Sequence, residues 1–167
     1  MTGDLVRLAP LVEADLALLF EWINQRDLQL GNGAFRPVSQ SEHRSWYEAL
    51  PQRRDQVVFA VRQHSDDSLL GSCQLVNIDP LARNAELRIR LGRLPGRGFG
   101  TEATRLLLDF AFGDLNLERV YLFVQEQNQA ARRVYEKVGF EVEGRLRRHA
   151  FVDGQFRDIL VMGVLRP

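Results

Sequence analysis

Between Asn84 and Phe112 the apolar residues switch from alternation to helical spacing across a glycine-rich turn, and few folds accommodate that switch. Ala85, Leu87, Ile89 and Leu91 alternate with Glu86, Arg88 and Arg90, the pattern of a strand with one apolar face. Ala103, Leu106, Leu107, Phe110 and Ala111 then recur at the spacing of a helix with one buried stripe. Pro95-Gly96-Arg97-Gly98-Phe99-Gly100-Thr101 joins the two. Its glycines lack the Cβ atoms that would hold a ligand off the backbone. The free N–H groups of the helix's first turn face that gap at the positive end of the helix dipole, which makes an anion site, phosphate being the usual anion. The spacing lacks both the G-x-G-x-x-G of a dinucleotide fold and the lysine of a nucleotide-binding P-loop. A tight turn that binds nothing also uses glycine, but Arg97 in the loop and Arg93 before it favour an anionic ligand.

The rest of the chain fits one domain over residues 1–167, long enough to bury a core. Lysine plus arginine number 22 and aspartate plus glutamate 22, so no net field draws the chain to nucleic acid or to a membrane surface. No apolar run approaches the ~18 residues of a spanning helix, and the N-terminus lacks a signal-peptide layout. Cys73 is the sole cysteine, which excludes an internal disulfide and fits a reducing, cytoplasmic setting. It lies in an apolar run and reads as a core thiol. His43, His64 and His149 show no metal-ligand spacing, so no metal is expected.

In chain order, Leu5 to Ala9 reads as a strand and Glu13 to Gln25 as a helix with Leu16, Leu19, Phe20 and Ile23 on one face. Residues 27–38, with Gly31, Gly33 and Pro37, read as a loop. Ser39 and Glu42 form a capping-box pattern opening a second helix, which Pro51 closes. Gln56 to Arg62 and Leu69 to Ile78 are strands of a hairpin, and Arg119 to Gln125 is a further strand. Asn128 starts a helix that Gly139 ends, and Asp153-Gly154 marks a terminal hairpin. The expected fold is α/β (α+β): a mixed sheet of about seven strands with helices on both faces, in the order β-α-α-β-β-β-α-β-α-β-β.

Some residues have the chemistry for a site. Glu86, on the polar side of its strand, is either a general base facing a cleft or an ion-paired strand residue. Tyr135 is either a proton donor whose hydroxyl reaches a cleft or a packing tyrosine. Asn128 is first a helix cap, and Arg132 and Arg133 a solvated face. Trp22, Phe35 and Trp46 could wall a substrate pocket, with Trp46 better read as core. Glu13, Asp15, Glu21 and Asp27 could attract a cation, or be plain surface.

Taken together, Ala85-Glu86-Leu87, Gly96 to Ala103, and Asn128 through Tyr135 to Gly139-Phe140 resemble the GCN5-related N-acetyltransferase (GNAT) superfamily over nearly the whole chain. Phe140 to Gly144 and Phe151 to Phe156 resemble its branch of ribosomal-protein N-terminal and spermidine acetyltransferases. The resemblance implies acetyl-coenzyme A as co-substrate. Its pyrophosphate would lie on Gly96, Arg97, Gly98, Phe99, Gly100 and Thr101, with Asn128 nearby, and its pantetheine arm along the main chain of Ile89, Arg90 and Leu91. Tyr135 becomes the general acid and Glu86 the general base; Trp22 and Phe35 face the acceptor. The acceptor is a primary amine: a protein α-amine, a polyamine or another small amine. The alternative is a sensor that binds coenzyme A or a phosphorylated ligand and transfers nothing. Pro95, which has no N–H, and a turn Gly92 to Pro95 shorter by one residue depart from the family pattern. Many such proteins are homodimers, and the terminal hairpin offers an edge for pairing.

Overall fold

The structure is a computed structural model that describes residues 1–31, 33, 35–92 and 96–167. The expectations for Arg93, Pro95 and the turn that ends at Pro95 lie outside the described residues. The strands are β1 (Val6–Pro10), β2 (Val57–Gln63), β3 (Leu69–Asp79), β4 (Asn84–Leu91), β5 (Arg119–Gln125), β6 (Glu141–Val152) and β7 (Gln155–Leu165). The helices are α1 (Leu16–Ile23), α2 (Arg26–Leu30), α3 (Gln40–Ala49), α4 (Phe99–Gly113) and α5 (Gln129–Lys137).

The strands form one sheet in the order β1-β2-β3-β4-β5-β7-β6. Every neighbouring pair is antiparallel except β4 and β5, which run parallel. Side chains alternate between the two sheet faces, and β2 displays that alternation directly. Phe59 and Val61 join the larger core with Leu75, Leu87, Leu107 and Val120 under α4, whereas Ala60 between them packs with Leu19, Trp22 and Leu69 under α1. Helices thus cover both faces, as the sequence predicts. The centre line of α4 is Ala103, Leu107 and Ala111, all fully buried; burying Leu107 alone contributes about 2 kcal/mol.

Local chemistry explains most element ends. The Ser39 hydroxyl accepts from the Glu42 N–H (3.2 Å) and the Glu42 carboxylate accepts from the Ser39 N–H (2.9 Å), completing the expected capping box of α3. At the end of α5 the Phe140 N–H donates to the Tyr135 carbonyl and the Gly139 N–H to that of Glu136, with Gly139 at φ +95°. That is a Schellman motif, and its apolar contact is the Phe140 ring on the Tyr135 ring, centroids 5.8 Å apart. Asp153 and Gly154 both have positive φ, the geometry of a tight hairpin turn between β6 and β7.

Two expectations about the helices fail. Residues 27–38 do not form a plain loop, because α2 occupies Arg26–Leu30. This single turn buries no side chain fully, and only Leu28 packs partly against the Leu19 and Trp22 cluster, too short a run to read as an apolar stripe. Contacts from elsewhere hold it: Gln29 Nε2 donates to the Trp22 carbonyl (3.0 Å), and Gln125 Nε2 to the Leu30 carbonyl (2.5 Å). The first helix also begins later than expected, after a 3-10 turn at Glu13–Asp15.

Candidate active site

The parallel pair β4 and β5 is joined only at Asn84–Glu86 and Arg119–Tyr121. Beyond that point β5 stays with β7 as far as Gln125, while β4 stays with β3 as far as Leu91. A fork therefore opens beside Leu87 to Leu91. The Gly92 N–H donates to the Leu70 carbonyl on the β3 side. Strand backbone groups alternate with a period of two, so the main chain of Arg90 also faces β3 and that of Ile89 and Leu91 faces the fork. Arg90 is thus corrected: its main chain is committed to the sheet, and only Ile89 and Leu91 present backbone to a ligand in the fork.

A cavity of about 150 Å³ occupies this opening, lined by Ile89, Leu91, Gly100, Ala131, Val134 and Tyr135. The glycine turn sits at its end. Gly96 and Gly98 both have φ +84°, and Gly98 is the N-cap of α4 with no side chain capping it. The N–H groups of Phe99, Gly100 and Thr101 have no acceptor among the described residues. A Cβ on Gly96 would meet nothing within 4 Å, so the left-handed backbone, and not crowding, demands glycine there. Arg97 is exposed and has no ion-pair partner among the described residues. These donors suit a diphosphate. Glu102, in the first turn of α4, faces away and accepts from the N–H groups of Asp4, Leu5 and Val6 (3.1, 2.7 and 2.7 Å), tying the start of β1 to the turn.

Tyr135 is 8% exposed, and its hydroxyl has no hydrogen-bond partner among the described residues. Burial pushes its pKa up to about 12, so it keeps its proton at neutral pH. Asn128 is placed as a cap: its Oδ1 accepts from the Ala131 N–H (3.1 Å) and its Nδ2 donates to the Gly31 carbonyl (3.2 Å).

On the other sheet face lies a cleft of about 770 Å³ between α1, α2 and α3 and the strands β3 and β4. Leu91 and Gly100 border the fork, and Leu91 lines both spaces. The cleft floor is polar, with Ser72 opposite Arg90 and Gln74 opposite Arg88. Trp22 is in its wall. Phe35 is half-buried and is not part of that wall. Trp46 is half-buried and does line the cleft, against the core reading.

His43 is a cleft residue that the sequence does not reveal, because a lone histidine on a helix carries no spacing signal. It is 6% exposed, lines the cleft and stacks between Phe20 and Trp46, with centroids 5.7 and 5.4 Å away. Desolvation lowers its pKa, so it is neutral at pH 7. Glu86 is 6% exposed at the mouth of the fork. Arg88 Nε donates to its Oε1 (2.6 Å), and Arg88 Nη2 and Asn77 Nδ2 donate to Oε2 (both 3.0 Å). Cys73 is fully buried, which raises its pKa and removes it as a nucleophile.

The acetyltransferase (GNAT) domain family model matches residues 6–141. The chain belongs to the GNAT family. It is 36% identical over 102 residues to the spermidine N(1)-acetyltransferase of Escherichia coli (strain K12), a stretch covering 60% of this chain and 55% of that protein. To the putative ribosomal N-acetyltransferase YdaF of Bacillus subtilis (strain 168) it is 34% identical over 102 residues, covering 60% and 56%. The chain thus aligns with little more than half the length of these curated relatives. A crystal structure of spermidine N-acetyltransferase from Vibrio cholerae in complex with CoA and spermine superposes with a TM-score of 0.90 at 28% identity, covering 98% of this chain and 96% of that one. Among the described residues no helix is long and apolar enough to cross a membrane.

Proposed function

We propose that this chain is an acetyl-coenzyme A-dependent N-acetyltransferase that moves the acetyl group directly onto a primary amine. The observation that carries the reading is the forked pair β4 and β5, with an uncapped glycine turn at its end and a separate large cleft across Leu91. Acetyl-coenzyme A would supply an activated thioester. The residues present fit it: amides from Phe99 to Thr101 hold its diphosphate beside Arg97, and the open main chain of Ile89 and Leu91 takes the pantetheine arm as an added strand.

Within the fork, an N–H of Ile89 or Leu91 is placed to donate to a carbonyl oxygen that gains charge. Tyr135 donates from the α5 side. Burial pushes Tyr135 up to about 12, so it is protonated when the reaction begins. It would hydrogen bond the sulfur as charge develops and pass its proton to the departing thiolate, and the proton that the nitrogen sheds on acylation restores the balance through solvent. An amine near ~10 arrives protonated at neutral pH, and Glu86 is the base that removes the proton. Its Oε1 carries one hydrogen bond and keeps a lone pair for an ordered water. The acceptor enters from the cleft past Trp22.

Release of free thiol from acetyl-coenzyme A is measured against a panel of amines, including spermidine and peptides with free N-termini. We expect amine-dependent release, reduced about 10²-fold in kcat by Tyr135→Phe and by Glu86→Gln. No release with any amine, while coenzyme A still raises the melting temperature, would favour a sensor.

A further inference from the structure

A sheet face covered by helices is ordinarily apolar, yet the floor beneath α1 and α3 carries Ser72, Gln74, Arg88 and Arg90. Their charges are unevenly met. Arg88 is paired with Glu86, and Arg36 with Glu42 at 2.9 Å. Glu42 is the one carboxylate in the cleft lining among the described residues, and it also accepts from the Ser39 N–H. Arg90 has no ion pair or hydrogen bond to any described residue, and neither side chain of Ser72 nor of Gln74 is hydrogen bonded to one. Arg90 is exposed to the open cleft, and partial desolvation by the surrounding walls, with the like charge of Arg88, lowers its pKa.

The acidic residues that could have drawn in a cation are elsewhere. Asp15 is buried against Arg62 (2.6 Å), Glu13 meets Arg44 (3.2 Å), Glu21 accepts from Gln25 (2.9 Å), and none of these or Asp27 lines the cleft. A polycation entering this space meets Arg90, which is uncompensated, while the neighbouring carboxylates Glu42 and Glu86 are already paired with Arg36 and Arg88. Desolvating it there without partners is unfavourable.

Resting on the acetyltransferase reading, we propose that the acceptor is an amine bearing an anionic group, carboxylate or phosphate, which Arg90 binds on the cleft floor with Ser72 and Gln74 donating beside it. The nitrogen then points across Leu91 toward the fork while the anion stays anchored behind it. A guanidinium fork matches either anion through two parallel N–H donors.

The test uses chain-length-matched acceptors: an alkyl amine, an ω-amino carboxylate, an aminoalkyl phosphate, and spermidine. Thiol release gives kcat/KM for each, and calorimetry with coenzyme A present gives binding of the matching hydroxy acid, which cannot react. One of the two anionic amines should exceed both others at least tenfold in kcat/KM, and which one does identifies the anion. Arg90→Gln should remove that preference through KM with little change in kcat, and abolish hydroxy-acid binding; Arg90→Lys should restore part of both. The exposed Arg90 side chain is not part of the core, so melting temperature should be unchanged. Preference for spermidine, or indifference to Arg90→Gln in both measurements, overturns the anion site. If no amine reacts but Arg90-dependent binding of the hydroxy acid persists, the anion site stands and acetyl transfer is what fails.

Discussion

Gly92 is required by its neighbour and not by its backbone angle. A Cβ there would lie 2.0 Å from the Trp22 ring, in the wall of the cleft. Gly92→Ala must push the indole into the acceptor space, and overpacking of this kind costs about 1–3 kcal/mol. Urea unfolding should record that loss, and KM for the amine should rise while coenzyme A binding, on the other side of β4, holds. His43 predicts a pH effect. Its folded pKa lies below the unfolded 6.5, so as pH falls past that value the unfolded chain takes up a proton that the folded chain resists. Stability is therefore full above that point and declines below it. Glu42, held down to about 2 chiefly by its hydrogen bond from the Ser39 backbone, stays ionised in the folded chain, and the small slope that it adds as pH nears the unfolded 4.5 is common to the native chain and the His43 variant. Melting temperature measured from pH 7 to 5 should fall more steeply in the native chain than in His43→Gln.

Elements built from local signals were legible and those built from distant contacts were not. β4, the glycine turn and α4 announce themselves by period and by backbone demand, and α3 and α5 by their caps at Ser39 and Asn128. Tyr135 was readable as half-buried because Ala131, Val134 and Val138 share its face, although the Schellman turn that fixes it is visible only with Phe140 in place. α2 escaped because its partners, Trp22 and Gln125, are brought to it by the fold. Arg90 was misassigned for a related reason: alternation gives the face of a side chain, but which edge a strand's main chain presents depends on the neighbour it pairs with. Glu102 belongs to the same class, since its acceptor role for Asp4, Leu5 and Val6 spans most of the sequence. Glu102→Ala should cost about 1–2 kcal/mol, since hydrogen bonds to a charged group are among the stronger ones but these are largely exposed. Amide hydrogen exchange at Asp4 to Val6 should quicken well before that of α4.

For the molecule as a whole, the sheet order leaves β6 on one edge and β1 on the other. Phe123, Val142 and Leu165 are exposed on the β5-β7-β6 half, and Phe151 and Phe156 at the hairpin tip. An unpaired, partly apolar edge of this length favours a partner, so sedimentation should give a dimer and Val142→Glu should weaken it. The other half bears the fork and the cleft, and a ligand bound there would couple binding to stability. The fork is held open by pairing on its two outer sides only, β4 to β3 and β5 to β7, with a cavity between. A ligand that lays an extended arm along Ile89 and Leu91 and an anion on the amides from Phe99 to Thr101 joins the two halves of the sheet. It binds the folded chain alone, which at a hundred times its dissociation constant stabilises by about 2.7 kcal/mol. For a domain of this size that is about 5–10 °C in melting temperature. Dephospho-coenzyme A should retain most of the shift because the diphosphate and the arm remain, whereas pantetheine, without the diphosphate, should lose most of it. Equal shifts from coenzyme A and pantetheine would mean that the glycine turn holds no anion.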